Sequence, residues 1–132
     1  VCRGLAAVMR LGAKLGAHPL TLAGLAGVGD LMVTCFSGLS RNYRLGLAVG
    51  GGMTLTQALN SLGQVAEGAY TVDALVRNAR EIDIELPLTE AVHRILYDAV
   101  SPESMVGSLF GRELKPELPP EMYWGRGTSR GD

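Results

Sequence analysis

Between positions 69 and 82, Val72, Leu75, Val76, Ala79 and Ile82 recur every three or four residues, a spacing that gathers side chains on one face only if the backbone is an α-helix. The same period returns in Ala91, Val92, Ile95, Leu96 and Ala99. It recurs in Leu5, Val8, Met9, Gly12 and Leu15, with Arg3, Arg10 and Lys14 on the other side of that helix. Alternating runs of Val, Ile, Thr and Tyr are almost absent, so a sheet has nothing to be built from. The pattern predicts an all-α, multi-helix, bundle-like domain. At 132 residues there is room for one core, and 47% hydrophobic residues with 18 glycines suit helices that approach closely and are joined by tight turns.

Cap and breaker residues punctuate this pattern. A first helix is expected over 2 to 16, closed by His18-Pro19, because the residue before a proline is pushed out of the helical region. A short piece follows over 20 to 26 with Thr21 as its cap. Gly27-Val28-Gly29 is expected to interrupt it before DLMVTCF resumes, with Asp30 in a first turn where negative charge suits the helix dipole. Ser40 is placed to cap a helix over 41 to 48 that Gly50-Gly51-Gly52 ends, and Thr54 with Gln57 has the spacing of a capping box for a helix through Asn60. Pro87 and Thr89 open the helix bearing the second stripe, and Ser101-Pro102-Glu103 opens a last one through Phe110. The helical domain is thus expected over 1 to 111. Positions 112 to 132, rich in Pro, Gly and charge, are expected to form a loose tail, and the terminal Arg130-Gly131-Asp132 is given no function.

Several function classes fall away on composition. A net charge of −1 gives no general reason to bind nucleic acid or an anionic membrane, so a charged ligand must be caught locally. No apolar run reaches the roughly 20 residues of a membrane span. Cys2 and Cys35 make neither a disulfide framework nor a CxxC metal pair, and read as two thiols in a reducing compartment. His18 and His93 have no ligand at metal spacing, so no metal site is expected and both read as ordinary surface residues. The glycines of GLAGVG at 24 to 29 do not make a dinucleotide fingerprint, which needs G-x-G-x-x-G between a strand and a helix.

One stretch carries more chemistry than helix packing requires. In Ser40-Arg41-Asn42 a capping hydroxyl, a guanidinium and a carboxamide follow one another at a helix start, where unpaired N–H groups and the dipole already favour an anion. Arg matches phosphate or carboxylate with two prongs and Asn adds a neutral donor. The alternative is a plain capped helix with a solvated arginine. Asp30, with Thr34 in the apolar segment that follows it, tilts the reading toward a polyol phosphate: the clamp holds the charged end while the carboxylate orients hydroxyls.

These residues also carry a resemblance. GLAGVGDLMVTCFSGLSRNYRLG, then GQVAEG at 63 to 68 and IELPLTEAVHRILYD at 84 to 98, resembles the C-terminal domain of bacterial NAD(P)-dependent glycerol-3-phosphate dehydrogenase, with similarity running from Cys2 to Arg112. The resemblance implies a cytoplasmic oxidoreductase of two domains. An N-terminal Rossmann domain holds NAD or NADP, and this helical domain closes over dihydroxyacetone phosphate or sn-glycerol 3-phosphate, feeding phospholipid synthesis. It further implies that Asp30 supports catalysis by organising the substrate hydroxyls and a catalytic lysine, with Thr34 beside it. Ser40, Arg41 and Asn42 would hold the substrate, and Arg41, Val65 and Glu67 would meet the cofactor.

The chain starts at Val1 within a helical pattern and reads as truncated, so the general-base lysine of the family is expected upstream; Lys14 matches no such motif. Two alternatives stand beside this reading, a sister dehydrogenase acting on another hydroxy acid and a noncatalytic helical interaction or dimerisation module; a homodimer is left open. On the favoured reading the 132-residue chain by itself turns over no substrate, and NADH oxidation with dihydroxyacetone phosphate by the purified chain would refute it.

Overall fold

The computed structural model describes residues 1–111, and the expectation of a loose tail over 112–132 lies outside the described residues. Along the chain run α1 (Cys2–Lys14), α2 (Pro19–Ala23), a π-helical turn (Leu25–Gly29), α3 (Asp30–Phe36), α4 (Arg41–Gly50), α5 (Leu55–Leu62), α6 (Glu67–Glu81), α7 (Pro87–Tyr97) and α8 (Pro102–Phe110). No strand occurs among the described residues, and none of their helices is long and apolar enough to cross a membrane. The all-α expectation is therefore met.

α6 and α7 pack along each other as the central pair; α1 and α8 lie against α7, while α4 reaches α6 and brings α5 and α3 with it. Two apolar clusters result. In the larger, Leu45 and Val49 of α4 meet Ala58 of α5 and Ala66 and Ala69 at the start of α6, with Leu55, Leu59, Leu62, Ile95 and Leu96 closing the rim. In the smaller, Ala7 of α1 meets Ala79 of α6 and Leu86, flanked by Leu11 and Ile84. Ala58 and Ala66 have 0% of their surface exposed and Ala69 has 1%, so the helices meet across methyl groups rather than long side chains. Such an interface is set by shape, because close-packed interiors leave no slack for an added methylene.

The cap residues act largely where the sequence puts them. Ser40 Oγ accepts from Tyr43 N–H (3.3 Å) and Ser101 Oγ from Ser104 N–H (3.3 Å). Thr54 and Gln57 form the full capping box, Gln57 N–H donating to Thr54 Oγ1 (3.3 Å) and Thr54 N–H to Gln57 Oε1 (2.9 Å). The glycine triplet ends α4 two residues later than expected, with Gly52 at φ +96°, Gly52 N–H on the Val49 carbonyl (3.0 Å) and Met53 N–H on that of Ala48 (3.1 Å). This is a Schellman ending, and it needs a left-handed residue that glycine supplies without a Cβ clash.

Four local expectations are corrected. α1 stops at Lys14, before His18-Pro19, because Gly16 (φ +86°) builds the same ending, with Ala17 N–H reaching the Gly12 carbonyl at 2.7 Å. The buried face of α1 is Ala6, Ala7 and the expected Met9, whereas Val8 and Leu15 point to solvent. The cap of α2 is His18, whose Nδ1 accepts from Leu20 N–H (3.3 Å), not Thr21. Finally, Gly27-Val28-Gly29 does not break the chain. The break falls at Gly24 (φ −78°, ψ −173°), and the π-helical turn runs into α3 through a helical Gly29 (φ −61°, ψ −48°).

Outside the core, α3 and its neighbouring loops keep an apolar surface. Leu25 is 94% exposed and Leu39 90%, with Val33 and Phe36 also turned outward. Apolar side chains scattered singly over a surface are ordinary, whereas a joined patch of them marks a contact surface.

Introducing bulk at the alanine seam tests the packing. Ala58→Leu is expected to lower unfolding stability by about 1–3 kcal/mol through overpacking. Leu47→Ala, on the solvent side of α4, should stay within about 0.5 kcal/mol of wild type in the same urea titration.

Candidate functional site

The residues expected to form the site lie on α3, at its first residue Asp30 and at Thr34, and at the start of α4. Asp30 opens α3 as an exposed residue, and Thr34, half-buried, follows one turn later on the same face of the helix. The π-helical turn sets where that face begins. Gly27 lies so close to the Leu22 backbone carbonyl that no Cβ fits between them, and because the obstacle is backbone it cannot swing aside. A residue with a side chain at 27 would force the turn into another form and change the direction in which Asp30 leaves it.

Between α3 and α4 the chain makes a tight turn. Ser37 Oγ accepts from Leu39 N–H (3.2 Å), and Ser40 N–H donates to the Ser37 carbonyl (3.0 Å). This turn delivers Ser40 as the cap of α4 with Arg41 at its first position. Arg41 is exposed, and no hydrogen bond or ion pair holds its guanidinium among the described residues. α3 packs against α4, yet no hydrogen bond joins Asp30 or Thr34 to Ser40, Arg41 or Asn42 there. The two halves of the expected site therefore lie on packed helices and make no bond to each other among the described residues.

Asn42 is already engaged. Its Oδ1 accepts the N–H of Gly68, 26 residues away in the first turn of α6, at 3.0 Å. The reason lies at the start of α6: its N-cap is Ala66, which has no side-chain oxygen, so one of the orphan N–H groups of the helix is satisfied from α4 instead. Gly68 makes the approach feasible, since a Cβ there would lie 2.7 Å from Asn42 Oδ1 and 2.8 Å from its Cγ. From sequence Asn42 is expected only as a donor to a ligand. The available signal was GQVAEG itself, a helix start with no Ser, Thr, Asp or Asn at its cap.

The bond brings Ser40, Arg41 and Asn42 against the segment that holds Val65 and Glu67. Val65 is 56% exposed; Glu67 is exposed and, like Arg41, unpaired among the described residues. From the other side, Tyr97 of α7 donates its hydroxyl to the carbonyl of Ala69 at 3.0 Å. Partial burial raises the pKa of that phenol above the ordinary tyrosine range, with Asp73 and Tyr70 adding to the shift and Arg77 opposing it. The hydroxyl thus keeps its proton, and its bond to Ala69, to a higher pH than an ordinary tyrosine would.

Tyr97 belongs to a chain of contacts along the α6–α7 seam. Arg77 pairs with Asp73 (2.9 Å), and Asp73 Oδ1 meets His93 Nε2 (3.3 Å). The His93 ring stacks on Tyr97 with centroids 4.9 Å apart. His93 is therefore not the ordinary surface residue expected: Asp73, 20 positions away, stands beside it because α6 and α7 run along each other.

The described residues form an all-α domain in which α4 starts at a capping serine followed by an exposed arginine with no partner among them. The particular family follows from comparison. Residues 1–107 match the family model described as NAD-dependent glycerol-3-phosphate dehydrogenase C-terminus, and the chain belongs to that family. It is 46% identical over 123 residues to glycerol-3-phosphate dehydrogenase [NAD(P)+] of Xanthomonas campestris pv. campestris, covering 93% of this chain and 36% of that protein. The Stenotrophomonas maltophilia dehydrogenase of the same name matches at the same identity and coverage. Among solved structures, the crystal structure of glycerol-3-phosphate dehydrogenase from Coxiella burnetii superposes with a TM-score of 0.80 at 44% identity, over 83% of this chain and 34% of that one. The chain thus spans about a third of the length of the relatives it matches.

Proposed function

We propose that this chain is the substrate-holding domain of an enzyme that interconverts dihydroxyacetone phosphate and sn-glycerol 3-phosphate with NAD(P)H. The observation that carries the reading is Arg41, without a partner among the described residues, at the capped start of α4, a helix packed against the one that Asp30 opens, in a chain of this family. The noncatalytic-module alternative is not favoured, because it gives these polar residues no task. The apolar outer face around Leu25, Val33, Phe36 and Leu39 is consistent with a domain that closes against another.

Each residue then has a defined part. The guanidinium of Arg41 faces two phosphate oxygens at once, and the first-turn N–H groups of α4 add dipole and donors to the same anion. Ser40 keeps that turn open in the right direction by spending its own oxygen on Tyr43 N–H. Asp30 accepts from the substrate hydroxyls and, with Thr34 one turn on, orients the carbon that changes oxidation state. The nicotinamide supplies or receives the hydride when bound.

The residues offered to that cofactor fit part of it. A carboxylate such as Glu67 accepts from ribose hydroxyls and repels phosphates, Val65 gives an apolar contact, and Arg41 is the cation within this set. They suit the edge of a dinucleotide whose phosphates are held elsewhere, in keeping with the expected placement of most cofactor contacts outside this domain.

Arg41→Ala in the complete dehydrogenase tests the clamp. One charge-assisted phosphate contact is worth about 1.5–3 kcal/mol, so KM for dihydroxyacetone phosphate should rise roughly 10- to 150-fold and lose much of its salt dependence. The melting temperature should not move, because Arg41 holds nothing in the fold. An unchanged KM would contradict the assignment.

A further inference from the structure

Asn42 has two polar ends, and only one is used inside the domain. A backbone N–H can only donate, so the atom facing Gly68 must be the amide oxygen, and the Asn42 Nδ2 is left as a donor with no partner among the described residues. That nitrogen sits next to Arg41 in sequence, at the second position of α4, while the oxygen is committed to the turn that carries Glu67 and follows Val65. The flat carboxamide rests over Gly68 at a distance where a Cβ at 68 would oblige it to move. The turn it holds has no alternative cap, since Ala66 offers none.

We infer that Asn42 and Gly68 form a connector between the two ligand-facing segments. Through it, the anion caught at Ser40-Arg41 and the placement of Val65 and Glu67 toward the nucleotide become one event. This rests on the proposed dehydrogenase function and goes beyond it by giving Asn42 a positioning task and Gly68 a reason to lack a side chain. A phosphate that takes a hydrogen bond from Nδ2 fixes the amide plane. The fixed oxygen then holds the first turn of α6 in a single place, so the nucleotide meets Val65 and Glu67 already ordered. By linkage the effect is reciprocal, and nucleotide binding must favour the phosphorylated ligand by the same factor.

The test is a calorimetric titration of NADH into the complete dehydrogenase, with and without saturating glycerol 3-phosphate, a pair that is already fully reduced and cannot turn over. In wild type, glycerol 3-phosphate should tighten NADH binding by about fivefold or more, within the range of ordinary coupling between sites. Asn42→Ala and Gly68→Ala should each bring that factor close to one. Asn42→Asp keeps an oxygen for the Gly68 N–H but loses the amide donor, so it should retain the wild-type melting temperature while weakening glycerol 3-phosphate binding. A cap that serves stability alone predicts lower melting temperatures in Asn42→Ala and Gly68→Ala with the coupling factor intact, and that result overturns the inference. So does a wild-type factor of one. Should Gly68→Ala fail to fold, Asn42→Ala decides, because it removes the contact without adding an atom near the backbone. Arg41-dependent binding with unaltered coupling sinks the connector alone, whereas wild type that binds no glycerol 3-phosphate sinks the proposed function with it.

Discussion

The first turn of α6 is the point on which the domain turns. Ala66 and Ala69 are sealed against Leu45, Val49 and Ala58, leaving no space for a larger side chain on that side. At Gly68 the Asn42 carboxamide occupies the space a Cβ would need and caps the helix that Ala66 cannot cap. Tyr97 holds the carbonyl of Ala69 from α7. Three helices thus fix one turn by shape and hydrogen bonding together, and that turn carries the segment proposed to meet the cofactor. A one-methylene change there is felt by packing and capping at once.

The same economy of small residues explains how much of the fold was legible in the sequence. The three-and-four spacing of Val72, Leu75, Val76 and Ala79 gives α6 directly, because the period of a helix is a property of the backbone alone. Ser40, Thr54 with Gln57, and Ser101 were equally readable, since a cap is a contact over three residues. The stripe of α1 was only half readable. Periodicity finds the apolar side of a helix but does not say that Ala6 and Ala7 will win the interface over Val8 and Leu15 when the partner helix comes close.

What stayed hidden depends on residues distant in sequence or on backbone forms with weak signatures. Glycines at 27 to 29 look like a break, and only the approach of the Leu22 carbonyl to Gly27 shows why they serve a wide helical turn instead. The Asn42–Gly68 bond spans 26 residues and the Asp73–His93 contact 20, so neither follows from local pattern. For the candidate site, local chemistry points to Ser40 and Arg41 as an anion-receiving start with Asp30 as its companion, an assignment that remains a proposal. It missed that Asn42 is shared between the clamp and α6, which is tertiary information.

The chain belongs to the glycerol-3-phosphate dehydrogenase C-terminal family, and the proposal is that its polar residues on α3 and α4 receive a phosphorylated polyol. The most direct measurement is a crystal structure of the complete dehydrogenase with glycerol 3-phosphate bound. The account predicts the phosphate within hydrogen-bonding distance of the Arg41 guanidinium and the first turn of α4, a glycerol hydroxyl on Asp30, and Asn42 Oδ1 still on the Gly68 N–H. A phosphate bound elsewhere, with Arg41 extended into solvent, would contradict it.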